Sequence, residues 1–355
     1  MDFGISIPPV ADTWKLVRRA EELGYRRAWF YDTQLLNSEL FVSMAAAAMH
    51  TSTIRLATGV LIPSNRIAPV AASGLATLNA MAPGRIDFGI STGFTARRTL
   101  GLASLKLADM GEYIRVVHGL LAGETIEWEF EGQRRKICLI DPELGAHNIE
   151  DPIPLHVSAF GPKGRRLVAK LGAGWIASAS TVANGQAAIA DMKIAWQEAQ
   201  RPAEDLYATA TIAGCVLEDG EPCDSPRVKE QVGAHAMVVL HSGAEREDFG
   251  DTHRGRLPAE LQMLADRYRQ HYLQFQPPDA RYLTNHRGHL MYLRPDEHEF
   301  CTADLIRMTT WTATKAELRE RVRELAQAGY QHLTLNVGYG HPERLEQWAE
   351  VFEIA

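Results

Sequence analysis

Thirteen histidines and four cysteines are the residues of this chain best suited to ligate a metal or to serve as bases and nucleophiles. Their spacing argues against most of that chemistry. No HExxH occurs, and Cys138, Cys215, Cys223 and Cys301 form neither a CxxC pair nor a dense framework, so they read as ordinary thiols of a reducing compartment. His286 and His289 lack carboxylates at ligand spacing, and no metal is expected. Their stretch, TNHRGHLMYLRPDEHEF, nonetheless gathers His286, Arg287, His289 and Tyr292. It reads first as a solvated surface loop and second as a substrate-recognition segment, which makes His286, Arg287 and His289 candidate catalytic residues. Arg97 is a fourth candidate. With Arg98 it lies in GFTARRTLG, where an arginine can meet a phosphate or an acidic substrate, although exposed arginines at a helix start are usually solvated. His156 alternates with Val157 and is expected inside the sheet as a core histidine rather than a base. The run GAGWIA spells GxGxxA, but it leaves a helix and enters a strand, the reverse of the dinucleotide-binding context.

The elements that must position these residues alternate short β-rich runs with longer helical patterns, which implies a parallel sheet covered by helices. Eight strands are expected, at 2–7, 27–31, 54–60, 85–90, 154–158, 174–178, 208–217 and 332–337. Asp12 is the expected N-cap of the first helix and Gly24 its terminator. Leu107, Met110, Ile114, Val117 and Leu121 follow helical spacing, and Thr314 with Glu317 forms a capping box before the last barrel helix. A polar stretch follows at 123–151. The reading is an α/β single domain over 1–355, a (β/α)8 TIM barrel with a large insertion before the eighth strand, at about 218–310. A structureless loop that long is improbable, so the insertion should hold helices, one at 258–272, and form a lid or a wall.

Barrel enzymes place chemistry at the C-terminal strand ends. Reading just past each strand gives Asp32, Thr33 and Gln34; Gly59 to Ile62; Ser91, Thr92 and Gly93; Ser158 to Gly161; Ser178 and Ser180; and Asn336 and Gly338. These are mostly small, neutral, hydrogen-bonding residues. They suit a planar ligand with polar edges better than a hydrolytic triad or a metal cage. GYGHP, after the last strand, reads as a structural turn.

Three runs, YDTQLL from Tyr31, IRLATGVLIPSNRIAPVAASGLATLNAMAPGRIDFGISTG from Ile54, and VSAFGPKGRRLVAKLGAGWI from Val157, resemble the luciferase-like flavin monooxygenases and deazaflavin-dependent reductases. The resemblance covers most of the chain in order, apart from the segment before the eighth strand. It implies a (β/α)8 barrel, usually dimeric, with an isoalloxazine ring near Asp32 and against a non-prolyl cis peptide matching Gly59-Val60. It further implies that Ile62, Thr92, Gly93, Ser158, Gly161 and Pro162 contact ring, ribityl chain or phosphate. The phosphate would lie at the helix opened by AFGPKG, with Lys163 or Arg165 adding charge. Two departures favour reduced FMN over the deazaflavin coenzyme F420: Thr33 stands where deazaflavin users tend to carry His or Ser, and the loop after the fourth strand contains Phe94 and two arginines.

Bulk properties agree with such an enzyme. The chain is 46% hydrophobic and 23% charged, with a net charge of −7 and scattered basic residues, which argues against nucleic acid and for a small-molecule substrate. No leader or long apolar span is evident, so neither membrane insertion nor export is expected, and the cytoplasm is. The expected function is an FMNH2-dependent monooxygenase of a small organic substrate, supplied by a separate flavin reductase. The alternatives are a deazaflavin-dependent hydride-transfer reductase and a non-catalytic flavin-binding protein.

Overall fold

The computed structural model describes residues 1–250 and 259–354. Their strands are β1 (Asp2–Ile7), β2 (Arg27–Phe30), β3 (Arg55–Thr58), β4 (Ile86–Ile90), β5 (Ile126–Phe130), β6 (Gln133–Ile137), β7 (Leu155–Ser158), β8 (Gly174–Ser178), β9 (Ala208–Ile212), β10 (Val216–Leu217), β11 (Ala313–Thr314) and β12 (His332–Asn336). Eight of them close a barrel in the order β1-β12-β9-β8-β7-β4-β3-β2, and every neighbouring pair is parallel. This is the expected (β/α)8 TIM barrel. Helices between the strands cover it: Leu107–Leu121 buries Met110, Ile114 and Val117 on one stripe. The Thr314–Glu317 capping box opens Lys315–Ala328, which ends at Gly329 with a left-handed φ of 112°.

Period-two alternation sends one residue in two to the barrel interior and the next to the helices. In β2, Ala28 and Phe30 join the outer apolar core, while Arg27 and Trp29 point inward and touch strands that are not neighbours of β2. Arg27 Nε lies 2.8 Å from Asp87 Oδ2 of β4, and the Trp29 ring lies 5.3 Å from His156 of β7 and 6.3 Å from His332 of β12. The N-terminal end is therefore a polar floor. Asp87 accepts from Arg27 and from Arg55, the latter through both oxygens at 2.9 Å. His156 Nε2 stands 3.6 Å from Asp87 Oδ1, beyond hydrogen-bond reach. Burial drives the Asp87 carboxyl up, but His156, Arg27 and Arg55 outweigh it and hold it far below the usual range. Burial also lowers His156 and His332. Above the floor Trp29 packs with Ala57 and Ile176. Its bulk requires glycine beside it, because a Cβ on Gly59 would come 2.5 Å from Trp29 Cβ, and one on Gly89 would come 2.1 Å from the Thr58 carbonyl and 3.0 Å from the Trp29 ring.

Several elements differ from the expectation. The strand anticipated over 208–217 breaks after Ile212, where Gly214 passes under Trp311 so closely that a Cβ would lie 2.4 Å from the Trp311 carbonyl. The chain then pairs as β10 with β11 in a separate two-stranded sheet. The polar stretch at 123–151 contains a hairpin, β5 with β6, capped by Trp128 stacked on Phe130 at 4.8 Å. Asp12 occupies the N-cap position without capping; its carboxylate pairs with Lys15 instead.

The insertion contains the helices Pro226–Ala236, Val238–Ala244, Ala259–Tyr272, Arg281–Asn285 and Ala303–Thr309. They enclose a second apolar core that includes Val228, Val232, Leu240, Leu261, Tyr268 and Ile306. The helix expected at 258–272 is Ala259–Tyr272, with residue 258 outside the described residues. Among the described residues no helix is long and apolar enough to cross a membrane.

Candidate active site at the C-terminal mouth of the barrel

The same alternation fixes what faces inward at the C-terminal strand ends: Tyr31, Gly59, Ser91, Ser158, Ser178, Thr211 and Asn336. None carries a carboxylate, an imidazole, a thiol or a cationic group. Several are tied to one another or to the strand edges. Tyr31 Oη donates to Asn336 Oδ1 at 3.0 Å across β1, Ser91 Oγ donates to the Ser158 carbonyl at 3.3 Å, and Thr211 Oγ1 donates to the Ala177 carbonyl at 3.1 Å. Tyr31 is the ionisable member of this ring. Burial raises its phenol well above the ordinary value, against the opposing pull of Arg344, so it stays protonated. Beside the ring lies a groove of about 630 Å³, between Pro8–Leu16 and Val337–Glu343. Its cations are already paired, Lys15 with Asp12 and Arg19 with Glu346, and it forms part of the rim rather than the centre of the mouth.

Asp32 is buried, and its carboxylate is fully occupied. It accepts from the Ile62 amide at 2.9 Å and takes Arg66 Nη1 on both oxygens at 2.9 Å. Arg66 also reaches Glu39 and lies 4.8 Å from the Phe41 ring. Asp32 thus fastens the turn after β3. The Gly59-Val60 peptide in that turn is cis, as the resemblance implies. Ile62 packs against Gly93, where a Cβ would lie 3.0 Å from Ile62 Cγ2. Thr92 and Ser158 are half-buried.

The helix Pro162–Leu171 begins beside Ser158 with proline in its first turn and Gly161 at its N-cap. Space in front of it is open, since a Cβ on Gly161 would meet nothing within 4 Å. Gly161, Pro162 and Lys163 are exposed. Arg165 faces elsewhere, donating to the Phe160 carbonyl at 2.6 Å and to Asp191 at 2.7 Å. Free amides, the positive helix end and one nearby lysine fit a phosphate.

The histidine-rich stretch is not a solvated loop. His286 is 2% exposed and His289 4%, and only Arg287 of the trio is exposed. Carboxylates distant in sequence explain this. His286 Nε2 meets Glu245 Oε2 at 2.8 Å, and the other oxygen of Glu245 takes Arg98 Nε at 2.9 Å. His289 Nδ1 stands 3.3 Å from His241 Nδ1, and His241 Nε2 lies 2.5 Å from Glu297, which also pairs with Arg294. Burial raises Glu245, but His286 and Arg98 outweigh it and hold it ionised, while burial keeps His286 below its ordinary value. Arg98, expected to be solvated, is 1% exposed and lies 5.3 Å from the Phe94 ring. Arg97 is half-buried and donates to the Ala103 carbonyl. Phe94, at the end of the loop after β4, sits edge-on to His286 at 5.4 Å and to His289 at 6.1 Å. The stretch thus pins the insertion to the barrel loop. Among the described residues no cluster of metal-ligating side chains is present.

The structure puts Gly59, Val60, Thr92, Gly93 and Ser158, read from the sequence as cofactor contacts, at or just past the ends of β3, β4 and β7. The sequence reading missed Tyr31, Arg66 and Glu245. Tyr31 was recoverable from the parity of β2, in which Arg27, Trp29 and Tyr31 share one face. Arg66 and Glu245 act through partners about 30 to 150 residues away, for which local spacing carries no signal.

The profile of luciferase-like monooxygenases matches residues 4–332. The F420-dependent glucose-6-phosphate dehydrogenase of Nakamurella multipartita is 34% identical over 140 residues, a match spanning 38% of this chain and 40% of that protein. In fold, the coenzyme F420 dependent tetrahydromethanopterin reductase from Methanopyrus kandleri superposes with a TM-score of 0.73 at 19% identity, over 98% of this chain and 97% of the other. The FMN complex of the oxygenating constituent of 3,6-diketocamphane monooxygenase from Pseudomonas putida superposes with a TM-score of 0.63 at 14% identity, over 100% and 96%.

Proposed function

We propose, from the premise that the chain belongs to the luciferase-like monooxygenase family, that it is an oxidoreductase holding a flavin-type cofactor at the barrel mouth and using it for hydride transfer as a deazaflavin enzyme. The observation that carries the cofactor dependence is the neutral ring of strand ends: hydroxyls, an amide and a glycine bind and orient a ligand but supply no electrons, so a bound redox group must provide the hard step. The F420-dependent relatives favour the deazaflavin. A second reading, an FMNH2-dependent monooxygenase served by a separate flavin reductase, is favoured by Thr33 and by the FMN-bound neighbour.

Val60, Thr92 and Ser158 would border the ring, and the backbone amides of Lys163 and Gly164, with the Lys163 side chain, would hold a phosphate. When bound, the cofactor supplies hydride or activates oxygen. The chain's own part is to exclude water, to orient both partners, and to keep the turn after β3 fixed through Asp32 and Arg66, with Ile62 and Gly93 packed against each other.

The protein also has a face suited to a second copy of itself. The helices Leu40–His50 and Ala68–Met81 contain no Asp, Glu, Lys or Arg, and Val42, Met49, Val70 and Met81 are exposed on them. Exposed apolar side chains on two adjacent helices without such charges fit an association site, here a homodimer.

Titration with F420, FMN and reduced FMN, followed by ring absorbance, tests the cofactor reading, and sedimentation of the same samples tests the dimer. Preference for F420 is expected; preference for reduced FMN with oxygen consumption would establish the second reading, and binding of neither would overturn both. A monomer throughout the micromolar range would remove the homodimer.

A further inference from the structure

The ring at the strand ends contains one pair that faces the mouth with hydrogen-bonding capacity unspent. Tyr31 and Asn336 are half-buried, and Tyr31 Oη donates to Asn336 Oδ1 at 3.0 Å. That bond orients the amide, so that Asn336 Nδ2 turns away from the tyrosine. Among the described residues Nδ2 makes no hydrogen bond and is not one of the buried unpartnered atoms, so it is accessible to a ligand. The phenol oxygen keeps lone pairs for an incoming donor.

The electrical surroundings are equally specific. The inward side chains of the other strand ends bear no charge. Arg344, the cation that acts on the Tyr31 phenol, is fully buried and spends its guanidinium on the Gln231 and Gly214 carbonyls at 3.0 and 2.6 Å. Arg66 is neutralised by Asp32 and Glu39, and Arg98 by Glu245. Between Tyr31 and Asn336 a charged ligand group would lose its hydration without a counter-ion among the strand-end side chains, Arg97 lying beside Gly93 with its Nε on the Ala103 carbonyl. A neutral oxygen would lose little and gain a hydrogen bond from Asn336 Nδ2, and a hydroxyl a second one to Tyr31 Oη.

We infer that Tyr31 and Asn336 are the substrate-orienting pair of this mouth, and that the substrate is a neutral molecule presenting a carbonyl or hydroxyl oxygen to them. This deepens the reading above, because it assumes that the mouth is the site of reaction. Asn336 Nδ2 donates to a carbonyl or hydroxyl oxygen, and Tyr31 Oη, still donating to Asn336 Oδ1, accepts from a hydroxyl. The pair fixes the oxygen and, with it, the carbon that faces the cofactor.

The test uses the full chain loaded with whichever cofactor binds, and measures dissociation constants by ligand-observed NMR for four probes of one shape: cyclohexanone, cyclohexanol, cyclohexanecarboxylate and cyclohexylamine. The ketone and alcohol are expected to bind more tightly than the two ions. In Asn336→Ala, which removes the donor, and separately in Tyr31→Phe, which frees the amide from its orientation, ketone affinity is expected to fall about tenfold, the consequence of losing one hydrogen bond in a desolvated site, while cofactor affinity stays within about twofold. Tighter binding of the carboxylate or the amine, absence of ketone and alcohol binding, or unchanged ketone affinity in both variants would overturn the inference. Parallel loss of cofactor affinity would do so too, because the pair would then serve the cofactor. If no cofactor binds, the functional reading fails on its own, and the same probe ranking on the unloaded chain still decides the fate of the pair.

Discussion

At its N-terminal end the barrel interior holds two guanidinium groups, one carboxylate and two imidazoles within one layer. At its C-terminal end, two or four residues further along each strand by the same alternation, it holds hydroxyls, a glycine and an amide. The charged end is sealed by its own pairings, and Asp87 is completely buried. The neutral end is open. Charge is concentrated where nothing has to enter, and kept away from the place where a ligand must be desolvated. A buried charge with fixed partners stays put, and it also spares the mouth a strong field that would favour one charged ligand over another.

The largest expected effect follows from breaking the floor. Asp87→Asn leaves Arg27 and Arg55 in the interior with a neutral amide, and breaking a buried pair from one side costs about 3–5 kcal/mol. Urea unfolding should show a loss of that order. Arg27→Met in the same background should recover part of it, because the unpaired cation is then gone as well. A loss below about 1 kcal/mol would mean that the floor is held by packing around Trp29 instead.

A smaller effect is expected from pH. His156 and His332 are held neutral by burial, so their folded values lie below the ordinary histidine value near 6.5. As pH falls through that value the unfolded chain takes up protons that the folded chain refuses, and stability declines. Asp87, also depressed, adds to the decline once pH drops below about 4. The sign is the same for all three: the stabilisation is present at neutral pH and lost on acidification. Unfolding free energies at pH 7.5, 6.0 and 5.0 should fall in that order, with a shallower slope in His156→Gln. A flat profile over this range would show that the folded chain takes up protons as readily as the unfolded one.

The barrel and its strand ends were legible in the sequence because they depend on local periodicity, and the Thr314–Glu317 capping box is local too. The floor was not. Arg27, Arg55 and Asp87 all lie within expected strands, but a charged residue in a strand reads as solvent-facing, and only closure of the sheet turns these side chains inward. The same limit explains the histidine stretch. Its composition is that of a surface loop, and its burial depends on Glu245, Glu297, His241 and Arg98, which reach it only when the insertion folds back on the loop after β4. The break after Ile212 arises from Trp311, about 100 residues later in the chain. Sequence spacing found what each element does alone and missed what elements do to one another.

The smallest expected effect lies at the mouth. Ser178 ends β8 with its side chain exposed, so Ser178→Ala removes a hydroxyl that water already solvates, and stability should change by no more than about 0.5 kcal/mol. Combined with Asp87→Asn it should be additive within about 0.5 kcal/mol, since the two residues sit at opposite ends of the barrel and share no partner. Arg27→Met combined with Asp87→Asn should be strongly non-additive. That contrast is sharper than either single value. If Ser178→Ala were coupled to the floor, the Trp29 layer between the two ends would be transmitting strain, and the mouth could not vary independently of the floor. If it is not coupled, the strand ends are free to change with the ligand while the charged layer beneath keeps the barrel closed.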